Sequence, residues 1–173
     1  MIYQLYREQQ LQCSIDTAWN FFTSPHNLPV IAPKEMDFTV LTKIGVNNIH
    51  EGMQVDYRLK PLLGIPIRWK SEIRSVVHKK CFVDYQLQGP YRMWHHYHEF
   101  IENDKGVLMK DILQYKMYFG FIGQIVNGLI IRNKLEYIFN NRAVIVEQLF
   151  NKNAQIPMDI VESNFKNLVF LEQ

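Results

Sequence analysis

Apolar and polar residues alternate with a period of two through much of the stretch 36–116, and this pattern predicts a series of β-strands. Side chains of a strand point to opposite faces in turn, so regular alternation indicates a sheet with one buried face. The alternation is cleanest at 53–59 and at 67–73, and residues 2–12 alternate more loosely as a first strand. Residues favoured in turns separate the later strands at 78–80, 89–90 and 103–106.

Three other segments have the character of helices. Residues 14–22 predict a short helix, and Ser24-Pro25 predicts the start of a second, because proline suits the first helical position after a serine cap. Apolar residues then recur at steps of three and four through 131–149. This stripe predicts one helix over residues 128–150, lying across the concave face of the sheet, where its apolar side can be buried.

The turn positions also predict which residues lie opposite one another on neighbouring strands. Turns near residues 63, 78–79, 89 and 103–104 set the pairs Tyr57–Trp69, Ile73–Asp84, Asp84–Trp94 and His96–Asp111. Directly opposed residues share a face of the sheet. The inner face is therefore predicted to contain Tyr57, Trp69, Ser71, Asp84, Gln86, Trp94, His96, His98, Asp111 and Tyr115, and the outer face to contain Arg58, Arg68, His95 and Tyr97.

Several short motifs resemble those of one superfamily. They are Phe21-Phe22-x-x-Pro25-x-Asn27-Leu28, Glu51-Gly52-Met53, Tyr57-Arg58-Leu59, Leu63-Gly64-Ile65-Pro66, Gly89-Pro-Tyr-x-x-Trp-x-His-x-His-x-Phe100 and Ile138-Phe139-x-x-Arg142. They resemble the ligand-binding branch of the START, polyketide-cyclase and birch-pollen-allergen superfamily (SRPBCC). The resemblance implies an α+β helix-grip fold over residues 1–150, followed by a tail at 151–173. In that fold a curved antiparallel sheet of about seven strands wraps a long C-terminal helix, and two short helices follow the first strand.

The resemblance also implies three hypotheses about function. Members of this superfamily hold lipids, hormones or aromatic polyketides in an apolar cavity between sheet and helix, so the first hypothesis is binding or carriage of a hydrophobic or aromatic small molecule. Some members catalyse cyclisation or dehydration, so the second is a cyclase- or dehydratase-type enzyme. Others resemble parts or neighbours of epimerase-like proteins, sometimes labelled cell-division inhibitors, so the third is an interaction subunit for such a partner.

Composition and charge argue against several other classes of protein. A net charge of +2 lacks the basic excess that nucleic-acid binding requires. Cys13 and Cys81 have neither a C-x-x-C spacing nor a signal peptide near them, so we expect reduced thiols in a cytoplasmic protein. The apolar stretch Phe119–Ile131 is shorter than the roughly 20 residues of a membrane span. It is predicted to begin a buried helix, with no stable membrane insertion.

Residues with candidate chemistry are concentrated on the predicted inner face. His96 or His98, with Asp84 or Asp111, has the groups needed for general acid–base catalysis in a cavity that shifts their pKa values. His96, His98 and Asp111 are also ligand types of a facial metal site. Hydrogen bonds between wall residues account for them without an ion, so no metal or other cofactor is predicted. Ser71 lacks the sharp turn that presents a nucleophilic serine.

The simpler hypothesis is that these residues line a cavity without catalysing a reaction. The predicted ligand-binding residues are Tyr57, Trp69, Ser71, Gln86, Trp94, His96, His98, Tyr115 and Arg142. Arg142 is unusual because it lies on the apolar stripe of the long helix. A buried guanidinium without a partner is costly. Arg142 is therefore predicted either to pair with an inward acid such as Asp84 or Asp111, or to meet an anionic group of the ligand.

Overall fold

Strands and helices occur in the order that the sequence pattern predicts. The computed structural model describes residues 1–43, 49–61, 64–118 and 127–151. The strands are β1 (Tyr3–Leu11), β2 (Thr39–Val40), β3 (Gln54–Leu59), β4 (Ile67–Val77), β5 (Cys81–Gln88), β6 (Met93–Asn103) and β7 (Gly106–Lys116). The α-helices are α1 (Ile15–Phe22), α2 (Leu28–Ile31) and α3 (Arg132–Phe150). The α+β class, the seven strands and the two short helices after the first strand are confirmed.

The described strands form one antiparallel sheet in the order β1-β7-β6-β5-β4-β3-β2. Strands β2 to β6 each pair with the next strand along the chain, whereas β1 pairs with β7, from Tyr3 opposite Tyr115 to Leu11 opposite Val107. Burial alternates along β7, where every second residue is buried. The sheet therefore has one inner face, and the helices cover it.

The predicted register is correct at two hairpins and wrong by two residues at two others. Tyr57 lies opposite Trp69 and Ile73 lies opposite Asp84, as predicted. However, Asp84 lies opposite His96 instead of Trp94, and His98, not His96, lies opposite Asp111. The β6–β7 turn closes between Asn103 and Gly106, one residue later than the predicted centre, and the β5–β6 turn is displaced by the same amount. A shift of two residues changes partners but keeps every side chain on its predicted face.

The two short helices begin at the residues expected of helix starts. The Ser14 hydroxyl caps α1 by accepting a hydrogen bond from the backbone N–H of Thr17, at 3.2 Å. Pro25 occupies the first position of a 3₁₀ turn, Pro25–Asn27, which leads directly into α2. From α1, Trp19 is buried in the core at the end of the sheet where β6 and β7 meet.

The long helix α3 is preceded by one turn of π-helix at Asn127–Ile131. Its buried residues, Leu135, Phe139, Val146 and Phe150, lie on one side and face the sheet. The predicted helix at 128–150 is therefore present, although its first turn is not α-helical. Most of the apolar stretch 119–131 lies outside the described residues. Within the described part of the chain, no helix combines the length and apolar character needed to cross a membrane.

The core has two parts, at opposite ends of the space between the sheet and α3. The packed cluster consists of buried residues around Trp19, namely Leu11, Trp19, Phe22, Phe82, Phe100, Val146 and Phe150. The cavity cluster consists of Tyr57, Leu59, Trp69, Tyr91, Leu113, Tyr115, Leu135 and Phe139. On the opposite side of the sheet, Arg58 and Arg68 are exposed, and His95 and Tyr97 are half-buried.

Candidate functional site

A cavity of about 140 Å³ lies between the inner face of the sheet, α2 and α3. Its walls are mainly apolar, and six of the lining residues are aromatic: Phe38, Tyr57, Trp69, Tyr91, Trp94 and Phe139. Three polar or charged residues complete the lining, Asp84, His96 and Arg142. An apolar enclosure with a few polar groups is the usual character of a small-molecule site.

Six residues of the predicted site border this cavity. They are Tyr57, Trp69, Asp84, Trp94, His96 and Arg142. A smaller space of about 30 Å³ lies beside it, and Tyr57, Asp84 and Arg142 border both spaces. His98 borders only the smaller space of these two. Asp111 borders neither of these two spaces. It borders a third space, near Arg7 on the β1 side.

Three predicted ligand-binding residues do not border the cavity in the part of the chain that the structure describes, and their role in binding stays a prediction. Ser71 is fully buried and accepts a hydrogen bond from Trp69 Nε1 at 3.0 Å. Gln86 donates from Nε2 to the carbonyl oxygen of Tyr91 at 2.6 Å. Tyr115 stacks on Tyr3 at a ring-centroid distance of 5.4 Å. All three point inward as predicted, but neighbouring side chains cover them, and alternation along a strand cannot show such cover.

The sequence analysis missed several residues of the cavity wall. Tyr91 lies outside the strands and packs on Trp94 at a ring-centroid distance of 4.8 Å. Its position directly after Gly89-Pro90 is a signal that could have been used, because a turn there aims the next aromatic residue at the sheet. Other wall residues come from the segment between α1 and β3 and from α3: Leu28, Ile31, Ala32, Met36, Phe38, Leu135, Ile138 and Phe139.

A buried polar network centred on Asp111 lies at the end of the cavity. His96 Nε2 is 3.1 Å from Asp111 Oδ1, and a nitrogen of Arg142 is 3.5 Å from Asp111 Oδ2. His98 Nδ1 is 2.7 Å from the same Oδ1, but the atoms are not aligned for a hydrogen bond. Of the two alternatives predicted for Arg142, pairing with an inward acid is therefore present, and the acid is Asp111.

The network sets the protonation states of two of its members. Burial alone would raise the pKa of Asp111, but the Arg142 charge and the two histidines hold that pKa well below its usual value. The pKa of His98 is lowered to about 3. Burial is the main cause, and the neighbouring His96 adds to it. At neutral pH, Asp111 is therefore ionised and His98 is neutral.

His96 differs from His98 in its tautomer and in its access to the cavity. An ionised carboxylate can only accept hydrogen bonds, so the His96 ring must carry a proton on Nε2 to bond with Asp111. In the neutral ring, Nδ1 then has a free lone pair. No hydrogen bond to this Nδ1 is found among the described residues, and His96 borders the larger cavity. This arrangement can accept a proton from a bound molecule.

Asp84 is the least satisfied polar residue of the wall. Its Oδ1 is buried and has no hydrogen-bond partner within the described chain. Burial raises the pKa of Asp84, while Ser71, His96 and Arg142 act in the opposite direction. The Arg142 Nε is likewise buried without a partner. Two unmet polar atoms therefore belong to residues of the same wall.

The donor atoms of His96, His98 and Asp111 lie within 4.8 Å of one another, close enough to surround a metal ion. Two facts weigh against such an ion. The three groups already contact one another around Asp111 Oδ1, and the Arg142 guanidinium adjoins the other carboxylate oxygen. The expectation that the site uses no metal stays a prediction.

Comparison with known proteins shows the fold. No family model matches the sequence, and no curated protein matches it. Among solved structures, the chain is similar to protein Ms6760 from Mycobacterium smegmatis, with 16% identity over 84% of this chain and 91% of that one and a TM-score of 0.59. It is similar to Ara h 8.0201, with 11% identity over 86% of this chain and 99% of that one and a TM-score of 0.57.

A third similar structure is the di-domain ARO/CYC protein StfQ from the steffimycin biosynthetic pathway. The match has 10% identity and a TM-score of 0.65, and it covers 86% of this chain but only 50% of StfQ. Together these matches show that the chain shares the α+β helix-grip fold of these proteins, which is the fold that its motifs predicted.

Proposed function

We propose that this protein binds a small apolar or aromatic molecule in the cavity beneath α3. The observation that carries this proposal is a cavity of about 140 Å³ with six aromatic residues in its wall. Tight packing is the rule in protein interiors, and voids larger than a water molecule are few. A space of this size, bordered by side chains from both the sheet and the helices, therefore calls for an occupant.

The volume limits the size of that occupant. An apolar cavity of about 150 Å³ stays dry and binds benzene. A cavity of about 140 Å³ therefore encloses a single aromatic ring or a short aliphatic chain. A larger ligand such as a polyketide would have to extend out of the cavity or widen it. The proposed ligand class is a molecule with one buried ring.

The similar structures support a function of this general kind. One is a di-domain ARO/CYC protein from a biosynthetic pathway, and neither it nor Ara h 8.0201 is close enough in sequence to transfer a ligand. A domain boundary near residue 150 is proposed on the same basis, since the matches cover 84–86% of this chain. The tail at 152–173 lies outside the described residues.

The test is a displacement titration with a hydrophobic dye on delipidated protein. We expect the wild type to bind the dye and to release it to small aromatic competitors. Trp94→Ala should weaken binding, because the indole forms part of the wall. Arg58→Ala is the matched control, since Arg58 lies exposed on the outer face of the same sheet and should leave affinity unchanged. Mass spectrometry of the protein before delipidation would identify any co-purified ligand.

A second candidate is an acid–base enzyme of the cyclase or dehydratase type, and the His96–Asp111 contact favours it. A histidine oriented by a carboxylate, with its other nitrogen free beside a cavity, has the geometry of a general base. His98 is the weaker of the two predicted candidates, because a pKa of about 3 makes its imidazole a poor proton acceptor and because it does not border the larger cavity. His96→Gln should abolish any turnover while preserving dye binding.

The remaining hypotheses concern location and partners. A cytoplasmic location is proposed from the two cysteines, which are free of disulfide bonds. None of the three similar structures is named as an epimerase or as its partner. The interaction-subunit hypothesis would become the leading one only under two conditions. The delipidated wild type would have to bind no dye, and an experimental structure would have to show the cavity filled by side chains of the protein.

A further inference from the structure

Several segments of the chain meet at the end of the sheet where the cavity lies, which we call the cavity end. The strand pairs nearest this end are Leu59–Ile67, Lys70–Gln88 and Met93–Lys116. Ile67, Trp94, Met117 and Ile131 all pack against the cavity cluster. The β3–β4 loop, the β5–β6 turn, the end of β7 and the start of α3 are therefore neighbours.

These segments carry basic side chains and no acidic ones. Residues 58–61, 64–70, 87–94, 115–118 and 130–134 contain neither aspartate nor glutamate. Three of the lysines pair with acids from adjoining segments: Lys60 with Asp37, Lys70 with Asp56 and Lys134 with Glu35. The other basic residues make no ion pair within the described parts of the chain, and they are Arg58, Arg68, Arg92, Lys116 and Arg132.

Two of these arginines face each other. Arg58 on β3 lies directly opposite Arg68 on β4, and both are exposed on the outer face. Like charges at directly opposed positions of antiparallel strands destabilise the sheet. On its other side Arg58 lies opposite Thr39, which has no charge to compensate. A phosphate group between or beside the two guanidinium groups would remove the repulsion, because their N–H donors match its oxygens.

Exposed apolar side chains lie among the basic ones. Ile65 in the β3–β4 loop is 59% exposed, and residues 64–67 there are Gly-Ile-Pro-Ile. Basic residues around exposed apolar ones are typical of a surface that binds an anionic membrane, where the apolar side chains enter the headgroup region. The other large apolar residues exposed at the cavity end are Ile2, Leu87, Tyr118 and Ile130.

The opposite end of the sheet has a different character. Acids and bases alternate there, with Asp104 beside Lys105 in the β6–β7 turn and Asp16 paired with Lys79 at 2.7 Å. The large apolar residues exposed on the strand ends there are Val77 and Ile101. The two ends of the sheet therefore differ in both charge and apolar exposure, although they belong to the same strands.

We propose that the cavity end docks on the surface of a membrane that contains anionic phospholipids. Arg58 and Arg68 contact the lipid phosphates, and Ile65 enters the headgroup region beside them. Leu59 and Trp69, the strand neighbours of these arginines, border the cavity, so the cavity lies directly behind the docked surface. Docking does not require the cavity to hold a ligand, and this proposal can therefore fail independently of the proposed function.

Sedimentation of the protein with lipid vesicles measures the docking. The comparison is between vesicles of phosphatidylcholine alone and vesicles that also contain phosphatidylglycerol, at low and at raised salt. We expect the wild type to bind the anionic vesicles at least about tenfold more tightly than the neutral ones, because each basic residue near an anionic surface adds to the affinity. Raised salt should weaken the binding, since it screens exposed charges.

Surface variants at the two ends of the sheet locate the docking site. Arg58→Gln and Arg92→Gln should each weaken binding to the anionic vesicles about fivefold. Ile65→Ser should weaken it about threefold or more, because less apolar surface enters the headgroup region. The matched controls lie at the opposite end: Lys105→Gln removes an exposed positive charge and Val77→Ser an exposed apolar side chain. Both controls should keep the affinity of the wild type.

Two further measurements separate lost docking from damage to the fold or to the cavity. Arg58→Gln removes the repulsion with Arg68, so thermal unfolding of this variant should occur at no lower temperature than that of the wild type. Its affinity for the hydrophobic dye, measured without vesicles, should also be unchanged. A variant that loses vesicle binding and keeps both properties has lost the docking surface alone.

The outcomes that would overturn the proposal are distinct from those that bear on ligand binding. Equal affinity for the two kinds of vesicle, or equal losses in the variants and their controls, would show that the cavity end is not a docking surface. Unchanged affinity in Ile65→Ser, together with displacement of the vesicles by duplex DNA, would replace the membrane with a polyanion such as nucleic acid. Dye binding without vesicle binding would leave the proposed function standing and remove this inference, whereas vesicle binding without dye binding would do the reverse.

Discussion

The two ends of the core use the same kind of residue to opposite effect. In the packed cluster, Trp19 makes edge-to-face contacts with Phe82 and Phe100 at ring-centroid distances of 6.1 and 5.8 Å, and the space beside Phe82 is about 30 Å³. In the cavity cluster, Trp69 and Tyr91 contact each other at 5.8 Å along a wall, and the space in front of them stays open. Aromatic content alone therefore does not decide whether a core is solid.

The difference follows from the helices after β1. The eight-residue α1 buries Trp19 and Phe22 in the packed cluster, whereas the four-residue α2 buries Ile31, which packs with the same cluster and also borders the cavity. The polar network lies between the two ends. His98 stacks on Phe82 of the packed cluster at 4.4 Å, and Arg142 lies over Phe22 at 5.5 Å. The charged groups thus lie where packing stops and the cavity begins.

The largest expected effect is on the stability of the packed end. Trp19→Ala should lower the free energy of unfolding by about 3–5 kcal/mol, because the indole is 2% exposed and leaves a large void. Trp94→Ala should cost clearly less, since Trp94 is only half-buried beside an existing cavity. Urea denaturation of both variants measures the contrast. Equal losses would mean that the two ends are packed alike.

The next effect concerns the polar network at the boundary between the packed cluster and the cavity. Asp111→Ala should lower the free energy of unfolding by about 3 kcal/mol, because it leaves the Arg142 guanidinium buried without its carboxylate. The double variant Asp111→Leu with Arg142→Met removes both charges and should recover much of that loss. Chemical denaturation of Asp111→Leu, of Arg142→Met and of the double variant gives the coupling free energy. Strictly additive losses would contradict a direct interaction between the two side chains.

A smaller effect should appear as a dependence of stability on pH. The pKa of His98 is about 3 in the folded protein and about 6.5 when unfolded, so between these values the unfolded chain binds more protons. Stability should therefore fall as pH is lowered from about 6.5 to 3, and Asp111, whose pKa is also lowered, adds to the fall below about pH 4. Asp84, with a raised pKa, acts in the opposite direction.

The measurement is thermal unfolding of the wild type and of His98→Gln across that pH range. The variant should have a shallower slope between pH 6.5 and 4, because it lacks a buried imidazole that must stay neutral. His96 and Arg142 face His98 in both proteins and remain unchanged. The same slope in the two proteins would remove His98 as the cause.

The smallest effect is expected on the outer face of the sheet. His95 is the sequence neighbour of His96 but lies on the opposite side of β6, where it is half-buried. His95→Ala should change the free energy of unfolding by no more than about 0.5 kcal/mol and should leave dye affinity unaltered, as for most surface substitutions. A loss as large as that of Trp94→Ala would show that the face assignment along β6 is wrong.

The sequence predicted which residues point inward but not which of them meet the cavity. Alternation along β6 separates His96 from His95, because successive side chains of a strand must point to opposite faces. The turn rule misplaced His96 by two residues against Asp111 and kept its face, since only an odd shift exchanges the faces. The fold was accordingly predictable from periodicity and motifs together.

The rest of the site depends on packing between distant segments, which periodicity does not encode. Whether Gln86 reaches the cavity depends on where the chain after Gly89 places the Tyr91 backbone. Which acid holds Arg142 depends on the depth of α3 over the sheet, and the sequence left Asp84 and Asp111 as equal choices. Both outcomes depend on distances between segments that meet across the core.

The pairing of β1 with β7 has a consequence for how the chain folds during synthesis. Every other pair of adjacent strands is joined by a local connection, whereas β1 must wait for a partner about 100 residues further on. At ordinary rates of translation this delay is roughly 5–20 s. The β6–β7 hairpin can form within microseconds of its emergence. The nascent chain therefore completes its sheet only when β1 returns to the last strand, and conditions that slow elongation lengthen the time for which β1 is unpaired and open to a chaperone.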